Sequence, residues 1–295
     1  MEKFTYEKTD SAIDNTIIKH HFLSEDPQNK HRKIHLPVSP VCNIKCKFCK
    51  MSFDNSEINP YTKKVILKPE EAVLFLDTAL KNYPDISSVC ISGPGDALAT
   101  SHALDTFELV HKKYPNMIKC LGTNGLMLKE NALRIVNIGI TEVSVTVNAV
   151  HPEILQTICS HIVYNGSQIT DKEASLWLLL AQLSGIKKLS ELGVTVKINT
   201  VLIPGVNDDH IDEIARITAG VGASHMNIIP LIPQSDMKNI TETISPGIYK
   251  SIKNAEKYLT VIRYCNNDVC GIPRDDDITD LIMMNYIETA KRITV

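Results

Sequence analysis

The chain has little charge of either sign to spare. Thirty-one Lys and Arg stand against 34 Asp and Glu in 295 residues, a formal net charge of −3. That balance offers no electrostatic footprint for nucleic acid, whose phosphates call for a clustered Lys/Arg face. Long apolar runs are also missing: none approaches the ~20 residues that span a bilayer. The opening Met1-Glu2-Lys3-Phe4-Thr5 has no signal-peptide core. The expectation is a cytoplasmic protein with neither nucleic acid nor membrane as a partner. Internal repeats and low-complexity tracts are absent as well. With 43% hydrophobic and 22% charged residues, the chain can bury one sizeable core, so one main domain is the starting point. Cysteine is not scarce. Eight are present, and in a chain of this length without a signal they more often ligate metal or lie buried than form a disulfide framework.

Residues 1–31 are polar, rich in His, Lys and Asp, and show no sustained period, which reads as an N-terminal arm. From Ile34 onward short β-branched or apolar runs alternate with longer amphipathic ones. Strands are expected at Ile34–Val38, Ser88–Ser92, Met117–Leu121, Glu142–Val147, Thr195–Val201 and Met226–Leu231. Helices are expected near Pro69–Lys81, Ala103–Lys113, Leu128–Val136, Lys172–Leu192 and His210–Ala219. This alternation builds a parallel sheet through βαβ units, here an α/β, TIM-like partial (β/α)6 barrel over 32–234. Residues 235–295 read as a small C-terminal extension, with a helix near Pro246–Tyr258, a strand-like Leu259–Tyr264 and a last helix. Strong breakers fall at strand ends, in Gly93-Pro94-Gly95-Asp96, Thr123-Asn124-Gly125 and Pro204-Gly205-Val206-Asn207-Asp208. Ligand-binding loops of α/β folds sit there, facing one mouth.

Cys42-Asn43-Ile44-Lys45-Cys46-Lys47-Phe48-Cys49 sets three thiols at C-x3-C-x2-C directly after the first expected strand. Iron-sulfur clusters are normally held by four thiolates. Three local ligands therefore leave one iron open to bind a substrate or cofactor group. A structural zinc loop is the plain alternative, but zinc sites usually pair C-x2-C elements around four ligands, and no second such pair exists. Spacing and position resemble the radical S-adenosylmethionine (SAM) family. In that family the open iron chelates SAM, and an electron from the [4Fe-4S] cluster cleaves the sulfonium to release a 5'-deoxyadenosyl radical. The resemblance makes Cys42, Cys46 and Cys49 the catalytic cluster ligands, places the Phe48 ring over SAM, and implies a reducing electron-transfer protein as partner.

The remaining loops read in the same frame. In Gly93-Pro94-Gly95-Asp96, glycine lets backbone approach a ligand closely, and Asp96 can accept hydrogen bonds from an ammonium. Its alternative is an ordinary Gly-Pro turn. Thr123 and Asn124, Thr146 and Asn148, and Asn199 are polar insertions in apolar strands or at their ends, and buried polar groups need partners. By resemblance they contact the ribose, carboxylate or adenine of SAM, with backbone at Ile229-Pro230-Leu231 flanking adenine. A turn or strand-end hydrogen bond is the alternative for each.

A narrower resemblance runs from about His20 to Pro273. His35-Leu36-Pro37-Val38-Ser39-Pro40-Val41-Cys42, Gly93-Pro94-Gly95-Asp96-Ala97-Leu98, Ser160-His161-Ile162-Val163-Tyr164, Asn199-Thr200-Val201-Leu202-Ile203-Pro204 and Pro230-Leu231-Ile232-Pro233 look like the NifB family of nitrogenase cofactor maturases. That family fuses two further [4Fe-4S] clusters and inserts a SAM-derived carbon. The departures fall on cysteines. Phe22, after His20-His21, and Asn55 stand where the family has thiols, and its C-x2-C-R-A-D segment becomes Cys265-Asn266-Asn267-Asp268-Val269-Cys270. Ligands for an additional cluster would come from Cys120, Cys265, Cys270 or the histidines His20, His21, His31 and His35, imidazole being a workable iron ligand. Cys90 and Cys120 are expected in strands and Cys159 on a helix, where buried thiols commonly act as small hydrophobes. Three functions stay open: iron-sulfur or nitrogenase-type cofactor assembly, a repurposed radical SAM enzyme acting on a small molecule or peptide, and a non-catalytic iron-sulfur carrier or scaffold.

Overall fold

The computed structural model describes residues 32–49, 66–240 and 246–262. The arm with His20, His21, Phe22 and His31, Asn55, the Cys265–Cys270 segment and the last expected helix lie outside the described residues.

All six expected strands form, as β1 Arg32–His35, β3 Ile86–Ile91, β4 Ile118–Thr123, β5 Glu142–Thr146, β8 Thr195–Leu202 and β9 His225–Pro230. They pair in parallel in the order β1-β3-β4-β5-β8-β9, and a short β10, Thr260–Val261, adds a seventh strand beyond β9. Helices connect the strands: α1 Pro69–Asn82, α2 His102–Lys113, α3 Leu128–Asn137, α5 Asp171–Glu191, α6 Ile211–Gly220 and α7 Pro246–Ala255. The first of these shows how local chemistry sets the bounds. Pro69 opens it, Glu70 and Glu71 suit its positive N-terminus, and the Lys68 N–H donates to the Glu71 carboxylate at 2.8 Å. Ala72, Phe75, Leu76 and Ala79 fall on one face and are fully buried, the spacing that an amphipathic helix requires.

Alternation divides the two faces of the sheet by chemistry. Val89, Ile91, Leu121, Val143, Val145, Val196, Ile198, Met226 and Ile228 are buried in the apolar core. In-register neighbours carry the opposite face: His35 pairs with Cys90, Cys90 with Cys120, Cys120 with Glu142, Thr146 with Asn199 and Asn199 with Asn227. This second face is polar along most of its length. Because the strands are parallel, their C-terminal ends share one rim, and the loops at 93–96, 123–125, 146–148 and 203–207 lie along it.

Between β5 and β8 the chain departs from simple alternation. A short α4, Pro152–Ile158, leads into β6, Cys159–Tyr164, and β7, Ser167–Thr170. These two strands form a separate antiparallel sheet with β2, Ile44–Cys46, in the order β2-β6-β7. Cys159 therefore opens a strand and is not helical as expected. Pro152 starts a helix that ends after seven residues, and Asn165-Gly166, at φ 50° and 76°, turns the chain back as a tight hairpin.

Candidate functional site

Cys42, Cys46 and Cys49 all lie on the loop that leaves β1 and passes through β2. Each residue is partly buried and packed against the apolar core, while Phe48 is buried within that core. Cys42 and Cys49 both oppose ionisation of Cys46, and Cys49 opposes that of Cys42. Burial, followed by the Asp96 carboxylate and then Cys49, pushes the Cys42 thiol up to about 12. Cys46 is held well above the ordinary thiol range by a hydrogen bond to Cys159, by burial and by both neighbouring cysteines. Crowded thiols that resist becoming thiolates together need a cationic centre to hold them deprotonated, and iron supplies one. The donor set fits a cluster.

The Gly93–Asp96 loop serves this cysteine loop directly. Ser39 bridges to Pro94, the Gly95 N–H donates to the Ser39 carbonyl at 2.8 Å, and the Asp96 N–H donates to the Val41 carbonyl at 2.9 Å. A Cβ on Gly95 would stand 2.1 Å from the Val41 carbonyl oxygen. The close approach that requires glycine here is thus to the backbone of the cysteine loop. The peptide Gly93–Pro94 is cis.

Asp96 is committed as well. Its carboxylate accepts from the Leu98 N–H at 2.9 Å, the Thr123 hydroxyl at 3.0 Å and the Asn124 N–H at 2.5 Å. Burial pushes its pKa up against these bonds, which hold it down. Asn124 then reaches the cluster loop: its Nδ2 donates to Asn43 Oδ1 at 2.7 Å and to Cys42 Sγ at 3.7 Å. A chain of contacts thus runs from Asp96 through Asn124 to the first cysteine. Gln182 on α5, which the sequence reading passed over, donates from Nε2 to the carbonyls of Asn124 at 2.8 Å and Thr146 at 2.9 Å. It ties the ends of β4 and β5 from behind. No local pattern marks a glutamine on a long helix for that task.

Farther along the rim, Asn148 Oδ1 accepts the Val201 N–H at 2.9 Å, and Asn207 Nδ2 donates to the Asn148 and Val201 carbonyls. These bonds brace the exits of β5 and β8 against each other. Asn199 and Asn227 behave differently. Asn199 Oδ1 and Asn227 Nδ2 are buried without a hydrogen-bond partner among the described residues, although the two residues face each other in register. Ile229 is buried two residues beyond Asn227 on the same face. An open acceptor beside an open donor on the polar face, below the rim, suits a ligand that both donates and accepts, as SAM does.

Deeper on that face, Cys120 Sγ donates to Glu142 Oε2 at 3.2 Å, and the hydrogen bond to Cys90 together with burial holds its thiol well above the ordinary range. A second collection of ligand-type side chains, His151, His210 and Glu213, lies within one ion's reach. Its hydrogen bonds argue for a brace. The Val150 N–H donates to His210 Nε2 at 3.1 Å, which leaves the ring proton on Nδ1, 3.3 Å from Glu213 Oε2. A protonated Nδ1 has no lone pair for a metal.

The family profile described as "Radical SAM superfamily" matches residues 36–217. The FeMo cofactor biosynthesis protein NifB of Methanocaldococcus infernus is 38% identical over 273 residues, 91% of this chain and 90% of that protein. NifB of Methanocaldococcus jannaschii is 36% identical, covering 88% of each chain. NifB of Chlorobaculum tepidum is 37% identical over 84% of this chain, which spans 60% of that longer protein. Among solved structures, methylornithine synthase superposes with a TM-score of 0.52 at 13% identity, covering 92% of this chain and 85% of that one. That likeness bears on the fold, a TIM-like partial barrel.

Proposed function

Because the chain belongs to the radical SAM superfamily and within it to the NifB family, we propose that it assembles an iron-sulfur precursor of the nitrogenase FeMo cofactor, with Cys42, Cys46 and Cys49 holding the cluster that cleaves SAM. The family uses a [4Fe-4S] cluster and SAM, and the enzyme is one of reductive SAM cleavage. When bound, the cluster supplies the electron that splits the sulfonium and yields the adenosyl radical.

The observation that carries the assignment is the gathering of three thiols on one short loop that Gly95, Asp96 and Asn124 clamp to the rim. The chain's own residues do the positioning. Asp96 and Thr123 hold Asn124 in place, Asn124 and Asn43 fix the first cysteine, and Gln182 keeps the third and fourth strand ends together. Asn199 and Asn227 offer the open polar atoms for SAM, and Ile229 adds an apolar surface beside them. Phe48, rooted in the core next to Cys49, sets the apolar side of the cluster loop. Cys120, on the same sheet face as Asn199, is the described thiol best placed to touch a substrate cluster. An electron-transfer protein of low potential supplies the electron, and a cytoplasmic setting suits the reduced thiols.

The repurposed reading keeps one point in its favour: Phe22 and Asn55 stand where, by the resemblance, the family has thiols. Anaerobic reconstitution with iron and sulfide quantification, paired with a 5'-deoxyadenosine assay after reduction with SAM, separates the readings. Clusters beyond one per chain with SAM cleavage are the expected result. One cluster with cleavage would mean a radical SAM enzyme that has left cofactor assembly, and no cleavage would leave a carrier. Cys42→Ala, Cys46→Ala and Cys49→Ala should each abolish 5'-deoxyadenosine; full activity in any of them overturns the cluster assignment.

A further inference from the structure

Cys159 is a fourth thiol at the cluster loop. It opens β6, is 3% exposed, and stands directly opposite Cys46 in the antiparallel β2–β6 pair. The Lys47 N–H donates to the Ile158 carbonyl at 2.8 Å. That bond joins the residue after Cys46 to the residue before Cys159, the pattern that flanks a non-hydrogen-bonded pair. In such a pair facing Cα atoms lie about 4.5 Å apart and side chains are closest. The two thiols accordingly share a hydrogen bond. Cys159 also meets the Lys45 backbone and donates to the His161 carbonyl in a long bond at 3.4 Å.

A buried thiol so placed can act either as a ligand or as a hydrogen-bond donor. A separate ligand would have to bind apart from Cys46, whereas Cys159 faces Cys46 directly across the strand pair. The donor role fits. Once Cys46 is an iron-bound thiolate it can only accept, and Cys159 presents a rotatable S–H across the strand pair. An anionic sulfur is a stronger acceptor than the neutral His161 carbonyl.

We propose that Cys159 is a positioning residue for the radical chemistry: its S–H donates to the cluster-bound Sγ of Cys46, fixes that ligand's orientation and raises the reduction potential of the cluster. The inference rests on the assignment of the cluster to Cys42, Cys46 and Cys49. Reduction adds negative charge to the cluster, so a donor aimed at a ligand sulfur stabilises the reduced form more than the oxidised one. Hydrogen bonds to the sulfurs are among the factors that set iron-sulfur potentials, and partners of ligands tune metal sites generally.

The test is a potentiometric titration of the anaerobically reconstituted full-length protein, following the EPR signal of the reduced cluster, with iron per chain measured on the same samples. Cys159→Ala should keep the full cluster and shift its potential to a more negative value. Cys159→Ser, whose hydroxyl is also a donor, should return it toward wild type. Cys159→Val fills the site without a donor and should match the alanine variant if alanine perturbs folding. A full cluster at wild-type potential in both Cys159→Ala and Cys159→Val overturns the proposal. So does a loss of this cluster as complete as in Cys46→Ala, which would make Cys159 a ligand. A Cys46→Ala variant that keeps the cluster would instead bring down the underlying cluster assignment.

Discussion

Two asparagines near the rim, Asn148 just beyond β5 and Asn199 on β8, show how little a residue type says about its task. Asn148 spends its Oδ1 on the Val201 N–H, whereas the buried Oδ1 of Asn199 has no partner among the described residues. Leaving such an acceptor unmet costs about 1–3 kcal/mol, and a ligand that donates to it recovers part of that cost. Asn199→Ala should therefore leave the ligand-free protein no less stable than wild type, because the cost of the unmet acceptor goes with the side chain. SAM affinity should fall by roughly tenfold, the equivalent of one hydrogen bond. Denaturant unfolding of the ligand-free protein and calorimetric titration of SAM into the cluster-loaded enzyme read the two effects separately. A large loss of stability with unchanged affinity would make Asn199 a structural residue.

At the scale of elements, two rim loops act as one body. The 93–96 loop lies along residues 39–41 like a short added strand, with Gly95 pressed against the Val41 carbonyl. Gly95→Ala places a methyl where there is no room and has the character of overpacking, about 1–3 kcal/mol. The strain falls on the cysteine loop, so the variant should lose both stability and iron, read by chemical denaturation and by iron per chain after desalting. Retention of wild-type iron by a destabilised variant would separate the two loops. The same coupling explains why Asp96, whose acceptors are taken up by Leu98, Thr123 and Asn124, acts on the site through Asn124 and Cys42.

For the whole molecule, the cysteine loop joins two sheets. Cys42 leaves the parallel sheet after β1, and Cys46 ends β2 of the antiparallel one. A cluster bound to all three thiols would link the β2-β6-β7 sheet to the rim of the parallel sheet. Binding to the folded state alone adds stability by mass action. Anaerobic reconstitution should thus raise the thermal midpoint, and removal of iron by a chelator under oxidising conditions should return it to the value of the cluster-free protein. An unchanged midpoint on loading would mean that the loop is held equally well without the cluster. Among the described residues no helix is long and apolar enough to cross a membrane.

The order of the six parallel strands and the long helices between them, the three-cysteine motif and the rim loops were legible in the sequence, because periodicity and breakers are local properties. The Asn165-Gly166 hairpin was not read from the sequence, nor was the β-branched run before it, Ile162-Val163, taken as a strand, and Cys159 was placed on a helix. What the sequence by itself determined is therefore the order of the parallel strands with their helices and the cysteine motif, while the β2-β6-β7 sheet was not determined by it. Only the tertiary structure decided which polar residues are braces and which stay open, that Gln182 joins two strand ends, and that Cys159 faces Cys46. The physical reason is distance along the chain: Asn124 meets Asp96 across 28 residues, Asn148 meets Val201 across 53 and Gln182 meets Asn124 across 58, and no local pattern of residue types encodes which donor will find which acceptor.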